Sequence, residues 1–288
     1  MNIAISGATG FIGTHLSAFL SDQGHQIVPL TRELFKQEAF PKLLSIISTM
    51  DVVINLAGAP INQRWTPAYK KILRDSRLHT TSILVDAINT ASKPPQLFIS
   101  TSAVGYYPST GCYDEYDSIQ GTGFLSELCR DWEAEAHKVL PDIRSVITRF
   151  GIVLSPDGGA YKQLTQITRL KLATIIGSGT QPFTWISLQD LMNAMAFIIG
   201  HPNLNGTFNL VAPQQITHTE FIRTLAQHTH TAITVKVPTP FFRLFYGQGA
   251  EFLTQGQCVR PTRLLEAGFN FQFKNIYTLL SEFSAENH

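Results

Sequence analysis

Residues 1–32 read MNIAISGATGFIGTHLSAFLSDQGHQIVPLTR. A short apolar strand, Ile3 to Ser6, runs into Gly7-Ala8-Thr9-Gly10-Phe11-Ile12-Gly13. An amphipathic helix from Thr14 to Gln23 follows, stopped by Gly24, and a second strand spans Gln26 to Leu30. Gly7 permits the tight turn leaving the strand, Gly10 lets a pyrophosphate approach the backbone, and Gly13 lets the helix lie close on the sheet. The N-terminus of the helix then turns its free N–H groups toward the phosphates. Three glycines alone carry little information, but the preceding strand and the helical period Ile12, Leu16, Phe19, Leu20 supply the context they need. The stretch reads as a dinucleotide-binding unit, with Gly7, Thr9, Gly10, Phe11, Ile12 and Gly13 at the cofactor.

In sheets of this kind the residue ending the second strand sits beside the adenosine ribose, and an acidic residue there favours NAD. Here that place holds Thr31 and Arg32. A carboxylate repels a 2′-phosphate, whereas a guanidinium and a hydroxyl hydrogen-bond it. NADP(H) is therefore expected in preference to NAD(H).

Further strands are expected at Val52 to Leu56, Leu97 to Thr101 and Ser145 to Thr148, and helices at Phe40 to Ser48, Pro67 to Thr90 and Thr122 to Val139. Thr66-Pro67 marks a helix start, with a hydroxyl at the N-cap and proline at the first helical position. Alternating strands and helices predict an α/β fold, a Rossmann-type doubly wound parallel sheet. Only about twenty residues separate Arg32 from Val52, too few for the helix, strand and helix of a complete fold, since one parallel crossover takes about a dozen or more. One strand with its helix is expected to be shortened or missing, which thins the wall of the adenine site.

After Arg149, Gly- and Pro-rich loops alternate with shorter helices, while Phe208 to Val211 reads as a strand returning to the main sheet. Ser187-Leu188-Gln189-Asp190 and Thr217-His218-Thr219-Glu220 read as capping boxes. Pro238, Pro240 and Pro261, with Phe241, Phe242, Phe245, Phe252 and Phe269, predict a smaller, mostly helical C-terminal cap. The expected division is interleaved: 1–150 with 184–212 as the dinucleotide-binding part, 151–183 with 213–288 as the cap.

A 288-residue chain that is 44% hydrophobic and 15% charged, with a net charge of +1, has an ordinary globular composition and no electrostatic footprint for nucleic acid or membrane. No apolar run reaches the roughly 18 residues of a membrane span, and no basic segment precedes an apolar one at the N-terminus. A cytoplasmic location is expected. Cys112, Cys129 and Cys258 are odd in number and scattered, so they are expected to be reduced thiols rather than a disulfide framework. The nine histidines are dispersed, and His228-Thr229-His230 has no carboxylate at metal spacing, so no metal is expected.

Asn55-Leu56-Ala57-Gly58 and Ser100-Thr101-Ser102-Ala103-Val104-Gly105-Tyr106-Tyr107 join the glycine loop in a wider pattern. To these are added Arg64-Trp65-Thr66, Asp75-Ser76-Arg77, Cys129-Arg130-Asp131-Trp132-Glu133, Arg149-Phe150-Gly151, Gly177-Ser178-Gly179-Thr180-Gln181, Trp185-Ile186 and Gly206-Thr207-Phe208-Asn209-Leu210. Together they span nearly the whole chain. On these segments it resembles an extended short-chain dehydrogenase/reductase. More narrowly it resembles the atypical branch of the NAD-dependent epimerase/dehydratase family that includes bacterial proteins labelled cell-division inhibitor homologues. The resemblance implies cofactor contacts from Leu56, Ala57, Gly58, Arg77 and Ser100, and a substrate hydrogen bond from Ser102. Arg64, Gln181 and Trp185 are expected on the substrate side, although the family's usual histidine two positions after the tryptophan is Ser187 here.

The wider superfamily uses a tyrosine as general acid/base and a lysine four residues later on the same helical face. Aligning Glu133 with that family's downstream glutamate puts Leu125 and Cys129 in those places. Leucine carries no proton, and a neutral thiol does not replace an ammonium. Substitute acids are sought among Tyr106, Tyr107 and Glu127, each set against an ordinary packing or solvated role. Glu127 and Cys129 lie on different helix faces and do not both reach the nicotinamide. Two readings follow. One is an NADP(H)-dependent oxidoreductase or epimerase acting on a small polar or sugar-nucleotide-like substrate. The other is a non-catalytic NADP(H)-binding regulatory or redox-sensing protein that acts through a protein partner. A homodimer is compatible with either.

Overall fold

Strand β1 (Asn2–Ser6) leads through the glycine loop into helix α1 (Phe11–Asp22) and strand β2 (Gln26–Leu30). The computed structural model describes residues 1–168, 171–231 and 233–285. Two short 3-10 turns, Arg32–Phe35 and Gln37–Ala39, precede α2 (Phe40–Ile47), β3 (Val52–Asn55), α3 (Pro67–Thr90) and β4 (Leu97–Ala103). Next come β5 (Cys112–Tyr113), α4 (Phe124–Ala136), β6 (Arg144–Phe150), β7 (Ile152–Ser155), α5 (Gly159–Thr168) and β8 (Leu172–Ile176). Then follow β9 (Trp185–Ser187), α6 (Leu188–Gly200), β10 (Gly206–Leu210), α7 (His218–His228) and β11 (Ile233–Val237). The chain ends with α8 (Thr239–Tyr246), α9 (Glu251–Thr254), β12 (Cys258–Val259), α10 (Thr262–Glu266) and α11 (Ile276–Ala285).

The main sheet has six strands in the order β10-β6-β4-β3-β1-β2, and every pairing is parallel. Its strands read as nearly continuous apolar runs because helices cover both faces. Ile3, Ile5, Val52, Ile54, Leu97 and Ile99 pack toward one core with Leu16, Leu20, Leu191 and Met195 from α1 and α6. The alternate positions Ala4, Val53 and Phe98 pack on the other side with Leu43, Ile47, Leu84, Ile88 and Ala136 from α2, α3 and α4. This is the expected Rossmann-type sheet, and the 32–51 segment is where it is shortened. The 3-10 turns and α2 stand in place of a further strand, which leaves β2 as the open edge. Pro29 lies in that edge strand, and having no N–H it blunts further pairing.

Local signals act as the sequence suggests. The Thr66 hydroxyl accepts the Tyr69 N–H at 3.1 Å and Pro67 opens α3. Thr217 and Glu220 form a reciprocal capping box on α7. At α6 the Ser187 hydroxyl accepts the Asp190 N–H and donates to the Asp190 carboxylate, each at 2.9 Å, so the cap closes through the side chains rather than through the Ser187 N–H of a full capping box. The Asp190 carboxylate also receives the backbone N–H groups of Gln272 and Phe273 at 2.7 and 3.0 Å, fastening the C-terminal segment to α6.

Beyond the main sheet, Phe183, Trp185, Phe221, Leu225, Ile276, Leu279 and Phe283 build a separate core. Two two-stranded parallel ribbons, β7-β9 and β8-β11, join the helices there, and a third, β5-β12, packs with Val104 and Tyr107. The side chains of Phe245 and Phe252 lie outside the described ones. The expectation of three reduced thiols is corrected: Cys112 and Cys258 form a disulfide, and Cys129 alone is free. The two bonded residues are 146 positions apart and become neighbours only because β5 and β12 pair with Cys112 opposite Cys258. No helix among the described residues is long and apolar enough to cross a membrane.

Candidate active site

The C-terminal ends of β1, β3, β4 and β6 meet along one rim of the sheet, where open parallel sheets place ligands. At β1 the glycines are required sterically. Gly7 has φ +73°, and a Cβ there would sit 2.9 Å from the Leu56 carbonyl carbon. A Cβ on Gly13 would sit 2.1 Å from the Gly7 oxygen, so the first turn of α1 lies on the loop with no room for a side chain. The Gly10 N–H donates to the Gly7 carbonyl at 3.0 Å, and Thr9 and Gly10 are exposed. Gly10 is the N-cap of α1 and no side chain caps that helix, which leaves its first N–H groups for an outside acceptor. Such a cradle fits a pyrophosphate. Phe11 and Ile12 are half-buried, and the Phe11 ring fills the space beside Gly158, so these two support the loop.

Leu56 and Ala57 stand against Gly7 at the end of β3, with Gly58 exposed beyond them. Arg77 lies beneath this turn. Its guanidinium donates to the Leu73 and Ala59 carbonyls at 3.1 Å each and stacks on the Trp132 ring at 5.2 Å. Burial lowers its pKa, and its hydrogen bonds make it a strut for the 56–59 turn. Thr31 and Arg32 are both exposed at the end of β2, and Arg32 has no hydrogen bond or ion pair among the described residues.

Ser100 is buried beneath the rim. Asn55 Nδ2 approaches its hydroxyl at 3.5 Å and donates to Thr81 at 2.7 Å, while the Ser6 hydroxyl donates to Asn55 Oδ1 at 2.6 Å. Trp132 Nε1 donates to the same Thr81 oxygen at 2.8 Å. These bonds lock the ends of β1, β3, α3 and α4 together.

Next to this layer lies the cluster with most chemical content. The Ser102 hydroxyl donates to Glu133 Oε1 at 2.6 Å. Arg149 grips the same carboxylate with both edges of its fork, Nε to Oε1 at 2.8 Å and Nη2 to Oε2 at 2.7 Å. Glu133 and Arg149 are 6% and 5% exposed. Burial alone would push the Arg149 pKa down, but the bonds to Glu133 outweigh it and hold the guanidinium protonated. The guanidinium also lies over the Tyr106 ring at 3.6 Å and the Tyr107 ring at 4.8 Å. Glu133 and Arg149 were not among the candidate residues read from the sequence. A charge inside the apolar strand Val146 to Phe150 was the available signal, and its meaning depended on a partner from another element.

The phenols separate. Tyr106 is half-buried and its hydroxyl has no hydrogen bond among the described residues. Tyr107 is 1% exposed, with its hydroxyl 3.0 Å from the Asp114 carbonyl and 3.1 Å from Asn209 Oδ1. Burial pushes its pKa up to about 12, so Tyr107 is a packing tyrosine rather than a candidate acid. Glu127 is also corrected: it is exposed in the first turn of α4, on the face opposite the buried Cys129. Leu125 and Cys129 share one face and both approach Gly105, where an added Cβ would be 3.6 Å from Leu125 and 4.0 Å from the Cys129 sulfur. Burial, then the charge of Glu133, pushes the Cys129 thiol up to about 11, so it is neutral and unreactive near pH 7.

A cleft of about 310 Å³ opens beside Gly105 and Leu125, lined further by Ser109, Thr110, Gln120, Thr122, Glu251 and Gln257. Arg64 is exposed and its side chain passes Gly247. Gln181 Nε2 donates to the Ile176 carbonyl at 3.0 Å, and the Gln181 backbone carbonyl accepts the His218 N–H. Trp185 is 0% exposed within the second core, so it is a packing residue. Neither Gln181 nor Trp185 lines the cleft.

This rim defines a Rossmann-type protein with a dinucleotide cradle and a buried polar cluster beside a cleft. The NAD dependent epimerase/dehydratase family matches residues 3–211, and a domain of unknown function, DUF1731, matches residues 237–283. The chain belongs to the NAD dependent epimerase/dehydratase family. It is 35% identical to the epimerase family protein SDR39U1 homolog, chloroplastic, of Arabidopsis thaliana, covering 96% of this chain and 84% of that one. It is 36% identical to an epimerase family protein of Mycobacterium bovis, covering 95% and 94%. Among solved structures, human epimerase family protein SDR39U1 with NADPH superposes with a TM-score of 0.92 at 33% identity, covering 100% of both chains. MoeE5 with UDP-glucuronic acid and NAD shares the fold, with a TM-score of 0.79 at 16% identity.

Proposed function

We propose that the chain is an NADP(H)-dependent oxidoreductase or epimerase that acts on a small polar, hydroxyl-bearing substrate of the sugar or sugar-nucleotide kind. Hydride chemistry is what the bound cofactor supplies. The glycine cradle of residues 7–13 holds its phosphates, and Arg32, exposed and unpaired among the described residues, holds a 2′-phosphate. The human relative crystallised with NADPH supports this choice.

The observation that carries the catalytic reading is the Ser102 hydroxyl, whose proton is committed to Glu133. Such an oxygen can only accept from a newcomer, so it orients a substrate hydroxyl by taking its hydrogen bond. Arg149 fixes the Glu133 carboxylate with two hydrogen bonds, which holds Ser102 in one rotamer. Tyr106 is the phenol left to serve as acid, since Tyr107 and Glu127 face elsewhere.

The test is a fluorescence titration of the purified protein with NADPH and NADH, repeated on Arg32→Ala and Gly10→Asp. NADPH binding weakened by both changes, with NADH affected only by Gly10→Asp, supports the reading. No binding of either nucleotide overturns it. The second reading, a nucleotide-binding protein without turnover, is favoured by two observations. Helix α4 holds neither tyrosine nor lysine, and Ser102 is 2% exposed. It predicts NADPH binding with no oxidation of the cofactor across carbonyl and sugar-nucleotide substrates.

A further inference from the structure

The Cys112–Cys258 bond lies beside the cleft just described. Thr110 and Gln257, each within two residues of a bonded cysteine, line the cleft wall. Both cysteines are half-buried, so the bond is not sealed within a core. From Cys112 a packed series runs inward. Tyr113 stacks on Tyr107 with ring planes 3° apart, and Tyr107 lies under Arg149, which grips Glu133. On the other side, Gln257 accepts the Thr184 hydroxyl, and Val259 is buried against Val104 and Tyr107.

The bond is not what assembles this corner. The Arg260 N–H donates to the Tyr113 carbonyl at 2.9 Å, and Asn209 Nδ2 donates to the Arg260 carbonyl at 3.0 Å. These contacts use no sulfur atom, so they do not require the bond. We propose that Cys112 and Cys258 are a reversible thiol–disulfide clasp that fastens the cap strand β12 to the 105–113 loop. When oxidised it holds the cleft wall rigid, and when reduced it lets the wall open.

Chemically, one cysteine thiolate attacks glutathione disulfide and releases one glutathione thiolate, leaving a protein–glutathione mixed disulfide. The second cysteine thiolate attacks the protein sulfur and releases the second glutathione. The two cysteines lose two electrons and two protons, and glutathione disulfide gains the electrons to become two thiols. Reduction runs the same steps backward. Cys129 takes no part, because it is buried with its thiol pushed up to about 11.

The test equilibrates the full chain in glutathione buffers of graded reduced-to-oxidised ratio, counts free thiols with a maleimide, and follows amide exchange over 108–114 and 255–260. Two thiols are expected to appear together as the ratio rises, with exchange over both segments faster by about tenfold and the main sheet unchanged. Cys258→Ser is expected to exchange at the reduced rate in every buffer, which separates loss of the clasp from loss of the fold. Two thiols labelled at every ratio, or pairing that leaves both segments at one exchange rate, overturns the proposal. Neither outcome depends on NADP(H) binding.

Discussion

Replacing Glu133 with glutamine tests the buried cluster with little change in shape. The carboxylate accepts three hydrogen bonds, from Ser102, Arg149 Nε and Arg149 Nη2. In Glu133→Gln one oxygen still accepts, but the other position becomes an NH₂ aimed at a guanidinium that is itself a donor. Arg149 is then left charged at 5% exposure with no counter-charge in contact. Breaking one side of a buried ion pair costs about 3–5 kcal/mol, because the surviving charge stays desolvated. In a chain of this size that corresponds to a fall in Tm of roughly 10 °C. Urea unfolding followed by circular dichroism measures it on the wild type, Glu133→Gln, Arg149→Met and the double variant. The double variant is expected to be more stable than Glu133→Gln alone, since the orphaned charge is gone. A loss below about 1 kcal/mol for Glu133→Gln, with no recovery in the double variant, would show that the pair does not carry a buried, uncompensated charge.

Three other outcomes follow from the same structure. Burial pushes His218 down to about 4 from its ordinary 6.5, so it folds neutral. Between those values the unfolded chain binds a proton that the folded chain excludes. Its contribution is complete above pH 6.5 and falls by roughly 3 kcal/mol as pH drops to 4. Urea midpoints at pH 7 and 4.5 should show a smaller acid loss in His218→Phe, and equal losses would count against the burial argument. Gly13→Ala, with a Cβ 2.1 Å from the Gly7 oxygen, should abolish NADPH binding in an equilibrium titration. Gly24→Ala is the control. Its φ of +83° costs about 1–2 kcal/mol, but nothing lies within 4 Å of the added carbon, so binding should be retained. Thr217→Ala removes one half of the α7 capping box and should lower stability by about 1 kcal/mol in urea unfolding, with loss of protection at the Glu220 amide.

Features whose causes are local are legible in the order of the residues. The Gly7, Gly10 and Gly13 spacing expresses a steric demand made within one turn of backbone. Thr66-Pro67 opens α3 because a cap hydroxyl and a missing N–H act on their nearest neighbours. The missing strand was legible from the count of residues between Arg32 and Val52, since chain reach needs no tertiary information. The placement of Leu125 and Cys129 on one face of α4 was likewise a matter of helical period. Packing between elements sets what those elements bring together. Ser102, Glu133 and Arg149 come from β4, α4 and β6 and meet because these three pack side by side. Tyr106 and Tyr107 are adjacent in sequence, yet packing against Asn209 and Asp114 buries one hydroxyl and leaves the other without a partner among the described residues. Glu127 is turned to solvent by the same packing that buries Cys129. The Cys112–Cys258 bond depends on two strands of two residues each, too short to carry any periodicity, which pair because the chain around residue 258 returns to the 105–113 loop. Ion pairs, hydroxyl partners and disulfides depend on distances between elements, and those distances are set by burial of the whole chain rather than by any segment's own pattern.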